Sequence, residues 1–196
     1  MKKRSASVHR TTRETDIRVT LDLDGNGASK IKTGLPFLDH MLELLSRHGL
    51  IDLQVVATGD LAVDYHHTVE DIGLTLGDAL NKALGDRKGI VRYGWAILPM
   101  DDARSTVAVD LGGRPFYVKE MVCKKKRILD FELNLFDDFF QALVVQARMN
   151  LHIDQTRGSE AHHAWESVFK GLARALRMAC ARDPRESGIP SSKGSI

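Results

Sequence analysis

Cysteine is scarce in this 196-residue chain: Cys123 and Cys180 are the only two, and neither has the CxxC spacing of a zinc knuckle. Two thiols cannot build a disulfide framework, so a disulfide-stapled fold is excluded and a reducing compartment is expected. Charge of one sign is lacking as well. Lys and Arg number 28 against 26 Asp and Glu, a formal net charge of +2, which gives no global attraction to nucleic acid or to an anionic membrane. The basic run Lys124-Lys125-Lys126-Arg127 has no aromatic residues interleaved with it and reads as a solvated loop rather than a nucleic-acid surface. No apolar run is long enough to cross a bilayer. The polar start, Met1 to Arg13, lacks the hydrophobic stretch of a signal peptide, so a cytoplasmic protein is expected, with neither nucleic acid nor membrane as a partner.

What the chain does contain is a duplication. His-His-x-x-Glu occurs as His66-His67-Thr68-Val69-Glu70 and again as His162-His163-Ala164-Trp165-Glu166, each time opening an apolar-periodic stretch that reads as a helix. Upstream of each motif, Phe37-Leu38-Asp39-His40-Met41-Leu42 through Leu53 matches Leu135-Phe136-Asp137-Asp138-Phe139-Phe140 through Leu151. Downstream, Ile72, Leu76, Leu80 and Ala83 fall opposite Val168, Leu172, Leu176 and Ala179. One half therefore reads strand, strand, helix, strand, helix: Asp16 to Leu23, Ser29 to Thr33, Phe37 to Arg47, Asp52 to Thr58 and Thr68 to Leu84. In the other half, strands are expected near Gly94 to Leu98, Ser105 to Leu111, Pro115 to Lys119 and Asn150 to Gln155, with helices over Asn134 to Arg148 and Glu160 to Arg182. Pro36 suits a first helical turn, and Gly85 and the Asp183-Pro184 pair are expected helix ends. The predicted class is α+β: two pseudo-repeated half-domains, residues 1–90 and 91–185, each a small mixed sheet with two helices on one face, followed by a tail over 186–196. A pseudo-twofold axis between the halves brings the two histidine-rich helix starts to one site or to equivalent sites across a subunit contact.

Spacing constrains what those histidines do. Neighbouring helical residues point about 100° apart, so His66 and His67 serve different ions, as do His162 and His163. Glu70 and Glu166 follow at i,i+3 and i,i+4 and can join only one imidazole each at close range. Two ions, each drawing imidazoles from both motifs, account for the duplication. His40 is a further ligand candidate, because it sits in a helix where the other half carries Asp138. Nitrogen and carboxylate donors without thiolate suit manganese, iron, cobalt or zinc, and more than four ligands favour octahedral manganese or iron. Asp64 and Asp71, beside the first motif, are placed to hold imidazole N–H groups.

The residues resemble the imidazoleglycerol-phosphate dehydratase family of histidine biosynthesis over nearly the whole chain. The stretches that carry the resemblance are Arg10-Thr-Thr-Arg-Glu-Thr15, Leu38-Asp-His-Met41, Arg47-His-Gly49, His66-His-Thr-Val-Glu-Asp71, Arg92-Tyr-Gly94, Pro99-Met-Asp-Asp-Ala103, Gly113-Arg-Pro115, Asn150-Leu-His152, His162 to Lys170 and the tail Ile189-Pro-Ser-Ser-Lys-Gly194. The resemblance implies a duplicated fold like the second domain of ribosomal protein S5, a homo-oligomeric shell of twenty-four chains with active sites at subunit contacts, and two manganese ions per site. It assigns His66, Glu70 and His162 to one ion and His40, His67, His163 and Glu166 to the other. Asp138 stands where the family pattern has histidine, and an aspartate oxygen can replace that ligand on manganese. The implied reaction removes water from imidazole glycerol phosphate to give imidazole acetol phosphate, with Glu14, Glu166 and Asp101, in that order, as candidates for moving protons. Arg92, Arg114 and Lys170, with Ser192 and Lys193 of the tail, are the implied phosphate contacts. Spacing alone also makes Lys170 an i,i+4 ion-pair partner of Glu166. A non-catalytic metal-binding shell and a dinuclear hydrolase are the rival classes, and neither accounts for the joint presence of the Glu14, Arg92 and Arg114 motifs.

Overall fold

Ile17, Val19 and Leu21 alternate with polar residues, which gives Thr15–Asp22 (β2) one fully buried face and one wetted face. The computed structural model describes residues 3–196 and builds from this strand a four-stranded sheet in the order β1-β2-β4-β3. Ser5–Thr11 (β1) and Asp52–Gly59 (β4) flank β2 antiparallel, and Ser29–Lys32 (β3) lies parallel to β4. Two helices complete the unit, Pro36–Gly49 (α1) before β4 and His66–Leu84 (α2) after it. Pro36 occupies the first turn of α1, and Gly85, at a positive φ of 59°, ends α2, as the sequence predicts.

The second half repeats this order and pairing. Tyr93–Met100 (β5), Ala103–Asp110 (β6), Phe116–Met121 (β7) and Asn150–Arg157 (β10) form a sheet in the order β5-β6-β10-β7, again with only the last pair parallel. Its helices are Leu135–Ala147 (α3) and Ala161–Cys180 (α4). A short hairpin of Arg127–Ile128 (β8) and Phe131–Glu132 (β9) is inserted after the basic run and has no counterpart in the first half.

Three local readings change. Ser5–Thr11 is a full strand, although its side chains alternate only between exposed and half-buried, so an edge position left it without a strong apolar signature. The β8–β9 hairpin is too short for any periodicity. Helix α4 stops at Cys180 rather than at Asp183-Pro184, because the next residues are drawn into pairing with the segment before β5. Val91 N–H donates to Ala181 O at 2.8 Å, Asp183 N–H to Gly89 O at 3.1 Å, and Ile90 bridges to Arg182.

Helices α2 and α4 lie on the buried faces of the first and second sheet respectively, and each half's first helix packs against the other half's second helix, α1 on α4 and α3 on α2. Aromatics are only 6% of the chain, yet Phe136, Phe139, Phe140 and Phe169 are fully buried with Trp165 between α3 and α4. The α2–α3 approach depends on glycine: a Cβ on Gly73 would stand 2.5 Å from Phe139 O, and one on Gly77 2.6 Å from Leu143 O. Gly77→Ala is therefore expected to destabilise the metal-free protein by about 1–3 kcal/mol through overpacking, outweighing the roughly 1 kcal/mol that alanine gains in helix propensity. Denaturant unfolding of the two proteins checks this, and an equally or more stable variant would show that α2 and α3 can part without cost.

Candidate active site

Carboxylates fix where each motif helix begins. Asp64 Oδ1 accepts the His66 backbone N–H at 2.8 Å, and the N-cap Glu160 Oε2 accepts that of His163 at 2.9 Å. Negative groups at these ends satisfy free N–H donors and suit the helix dipole. Both histidine pairs consequently sit in the first turn, fanned apart by the helical period.

His66 turns toward α3 and His67 toward the end of β4. The His66 Nδ1 lies 3.2 Å from Asp138 Oδ2, and its Nε2 lies 3.7 Å from Glu70 Oε2. The His67 Nδ1 lies 3.0 Å from Asp60 Oδ2 and 3.8 Å from Glu14 Oε2 in the β1–β2 turn. The second half mirrors both arrangements. His162 Nε2 is 3.2 Å and His40 Nε2 2.7 Å from Glu166 Oε1, so α1 contributes to the α4 cluster as α3 contributes Asp138 to the α2 cluster. His163 Nδ1 is 2.9 Å from Asp102 Oδ1, with Asp101 Oδ2 3.4 Å from its Nε2, both aspartates lying in the β5–β6 turn.

The sequence-derived residues thus gather on helix starts and hairpin turns, in two mirrored groups. His40, His162 and Glu166 converge with donor atoms within 4.8 Å of one another, the one such triad among the described residues. Two imidazoles and a carboxylate at that separation fit a borderline divalent cation. The crossed sets implied by family resemblance, His66 with Glu70 and His162 or His67 with Glu166, do not come together in this way within one chain. An aromatic wall lies between the groups: Phe37 packs 5.4 Å from His162 and 5.7 Å from Phe131, which packs 6.5 Å from Tyr65 beside His66. The histidines face outward, with His66 and His162 side chains 45% and 44% exposed. A broad cleft of 1350 Å³ lies elsewhere, along β7, the basic run and Trp165.

Charge is unevenly set. Burial raises the Glu166 carboxyl, but the ammonium of Lys170, 2.6 Å away, and the two imidazoles outweigh it and hold the group down to about 2. These contacts favour the ionised form of Glu166, the form a cation ligand needs. His67 is raised by its bond to Asp60 and then by Glu14, and His163 is raised by its bond to Asp102 and then by Asp101. Sequence reasoning missed Asp60 and Asp102. The Asp-Asp pair in the β5–β6 turn was the available signal for the second, and Asp60 carried none. Of the aspartates proposed for imidazole N–H groups, Asp64 caps the helix instead, and Asp71 is buried against Arg10 at 2.7 Å and Thr15 at 2.5 Å.

The phosphate candidates divide between two ends of the second sheet. Lys170 stands at the histidine end, on Glu166 and near Met100. Arg92 precedes β5 at the opposite end: its guanidinium grips Asp110 at 2.7 and 3.0 Å and donates to Pro190 O of the tail at 2.8 Å. Arg114 is exposed beside it, its carbonyl accepting from Asn150, and the tail containing Ser192 and Lys193 runs on until Ile196 abuts Gly113. Eight residues of β5 separate Arg92 from the Asp101 turn, about 26 Å at roughly 3.3 Å per residue. One chain does not place these arginines beside its own histidines.

Comparison with known proteins gives a consistent picture. A family model described as imidazoleglycerol-phosphate dehydratase matches residues 33–176. The imidazoleglycerol-phosphate dehydratase of Thioalkalivibrio sulfidiphilus is 54% identical, with 100% of each chain covered, and that of Alkalilimnicola ehrlichii is likewise 54% identical over 100% of both. Among solved structures, the enzyme from Staphylococcus aureus superposes with a TM-score of 0.83 at 36% identity, covering 91% of this chain and 99% of that one. The Pyrococcus furiosus protein, solved in complex with (S)-C348, also gives 0.83, at 39% identity over 96% and 100%.

The depressed Glu166 carboxyl generates a pH test. A folded-state value near 2 against about 4.3 in the unfolded chain means that ionised Glu166 contributes stability above the unfolded value, and that this contribution is lost as pH falls toward the folded one. The unfolding free energy of metal-free protein should fall more steeply over that acid window than that of Glu166→Gln, measured by denaturant titration at several pH values. Parallel curves would show that the Lys170, His40 and His162 contacts do not stabilise the anion.

Proposed function

The chain belongs to the imidazoleglycerol-phosphate dehydratase family and is a hydro-lyase of histidine biosynthesis, and on that premise we propose a manganese-dependent loss of water from imidazole glycerol phosphate to give imidazole acetol phosphate. The observation that carries the metal part of this reading is the mirrored pair of helix starts, which puts five imidazoles and two glutamates on one surface of the chain. His66 and Glu70 with His162 would hold one ion, and His40, His67 and His163 with Glu166 the other. Manganese bound there supplies charge stabilisation to the substrate's imidazole and a template for its orientation.

Two observations support assembly of these crossed sets between chains of a homo-oligomer, for which we take the family's shell of twenty-four. His66, Glu70 and His162 are nearly half exposed rather than enclosed, and Arg92 and Arg114 lie a strand's length from the histidines of their own chain. An apolar outer face of the second sheet, with Tyr93, Trp95, Ile97 and Phe116 exposed by 51%, 59%, 66% and 61%, offers area for such contacts. A cytoplasmic location fits two buried free cysteines, and none of the described helices is long and apolar enough to cross a membrane.

The reaction needs a base for a weakly acidic C–H and an acid for the departing hydroxyl. Glu14 is the stronger candidate base. It is half exposed, and its Oε2 lies 3.8 Å from His67 Nδ1, its one ion-pair contact among the described residues. Asp101 holds the mirrored place near His163 on a backbone with φ of 47°, and is the candidate acid. Glu166, tied down by Lys170, keeps the role of ligand. Arg114, with Ser192 and Lys193, is assigned to the phosphate, while Arg92 acts by holding the tail through Pro190 O.

Purified protein stripped of metal should lose turnover of imidazole glycerol phosphate and regain it with manganese; retained turnover without metal would end the manganese reading. Arg114→Ala removes charge-assisted hydrogen bonds worth about 1.5–3 kcal/mol, so KM should rise by roughly one to two orders of magnitude while metal content stays the same. Loss of metal in that variant would move Arg114 from the phosphate to the cation site.

A further inference from the structure

We infer that Asp138 serves the cation site through His66, as a positioning residue that holds the ring by Nδ1 and leaves Nε2 as the nitrogen offered to the metal, and that Asp60 and Asp102 do the same for His67 and His163. This rests on the reading that the motif histidines bind divalent cations. It differs from the expectation that Asp138 is itself a ligand.

The case is geometric. A carboxylate can only accept from a ring nitrogen, so Asp138 Oδ2 at 3.2 Å from His66 Nδ1 fixes the proton on Nδ1 and leaves the lone pair on Nε2. The Nε2 edge is the one that faces Glu70, at 3.7 Å. An ion held by His66 Nε2 and Glu70 would then not need Asp138 as a ligand. The counterpart of Asp138 in the other half is built differently: His40 turns its Nε2 onto the Glu166 oxygen that also faces His162 Nε2, whereas Asp138 meets the Nδ1 edge of its histidine and not the Nε2 edge that faces Glu70.

Two more rings follow the rule. His67 Nδ1 faces Asp60 Oδ2 at 3.0 Å and His163 Nδ1 faces Asp102 Oδ1 at 2.9 Å. Three of the four motif imidazoles are held at Nδ1 by an aspartate, each from a different element: the end of β4, the β5–β6 turn and α3. Outer partners of this kind set the tautomer, orient the ring and raise its basicity as a ligand.

The test uses metal-stripped full-length protein titrated calorimetrically with manganese chloride, with ions per chain counted by emission spectroscopy and folding checked by circular dichroism. Asp138→Asn keeps an oxygen that accepts from Nδ1–H, Asp138→Ala does not, and Glu70→Ala removes a ligand outright. The expected result is that both Asp138 variants bind as many ions per chain as the wild type at saturation, with Kd for one ion raised roughly 10- to 100-fold in Asp138→Ala and less in Asp138→Asn, while Glu70→Ala loses an ion. Asp102→Ala should repeat the alanine pattern. An ion missing from Asp138→Ala at saturation would make Asp138 a ligand, and an unchanged Kd would leave it no role; either overturns the inference. A wild type that takes up no manganese would instead fail the functional reading on which it rests.

Discussion

The exchange of helix partners between the halves is the constraint from which the site follows. Because α1 packs on α4 and α3 on α2, the second turn of each first helix is delivered to the first turn of the other half's second helix. Neither half alone contains a cluster: His162 and Glu166 need His40 from the first half, and His66 and Glu70 meet Asp138 only from the second. Burial of Phe136, Phe139, Phe140 and Phe169 against Trp165, and the glycine-permitted approach of α2 to α3, hold those helices at the separation that the clusters require. A few tenths of an ångström added between α2 and α3 would be felt directly at the Asp138–His66 contact.

Much of this was legible in the sequence because a duplication carries two copies of every signal. Matched apolar positions after each His-His-x-x-Glu motif gave the helices their buried faces, and the pairing of His40 with Asp138 followed from the same alignment. What stayed hidden was whatever lacked periodicity or a second copy. Strand β1 sits at a sheet edge with half-wetted side chains, so its own residues say little, yet the repeat could have supplied it: β5 was expected in the second half and had no partner assigned in the first. Asp60 and Asp102 are single polar residues at strand ends, whose task is visible only once the fold brings them to Nδ1 of a histidine. Which of these cations stands beside the histidines was also invisible, since motifs give order along the chain and not which end of a strand each occupies: Lys170 lies on Glu166, and Arg92 at the far end of β5.

Electrostatics divides the acidic residues into two kinds. Glu166 is nearly buried and bonded to an ammonium and two imidazoles, contacts that favour its anionic form. Glu14 and Asp101 are exposed, held by backbone turns and touched only by an imidazole edge. A carboxylate that must gain and lose a proton within one turnover cannot be clamped by a permanent cation, because each unit of pKa depression costs about 1.4 kcal/mol of proton affinity. The ammonium beside Glu166 favours its anionic form, and on the proposed reading that suits a ligand and leaves proton transfer to the residues of the turns.

The mirrored geometry also bears on why the halves have diverged. Had position 138 carried an imidazole turned as His40 is, the two clusters would present the same two nitrogens and one carboxylate. With aspartate there, His66 is held from behind and one fewer nitrogen faces the Glu70 side, so that cluster is the poorer in ligands within a single chain. On the proposed reading, its further donor would come from another copy of the chain. His66 and Glu70 stand 45% and 46% exposed at the surface of a single chain, whereas Glu166 of the other cluster is nearly buried, so the two helix starts differ in accessibility as well as in donor set.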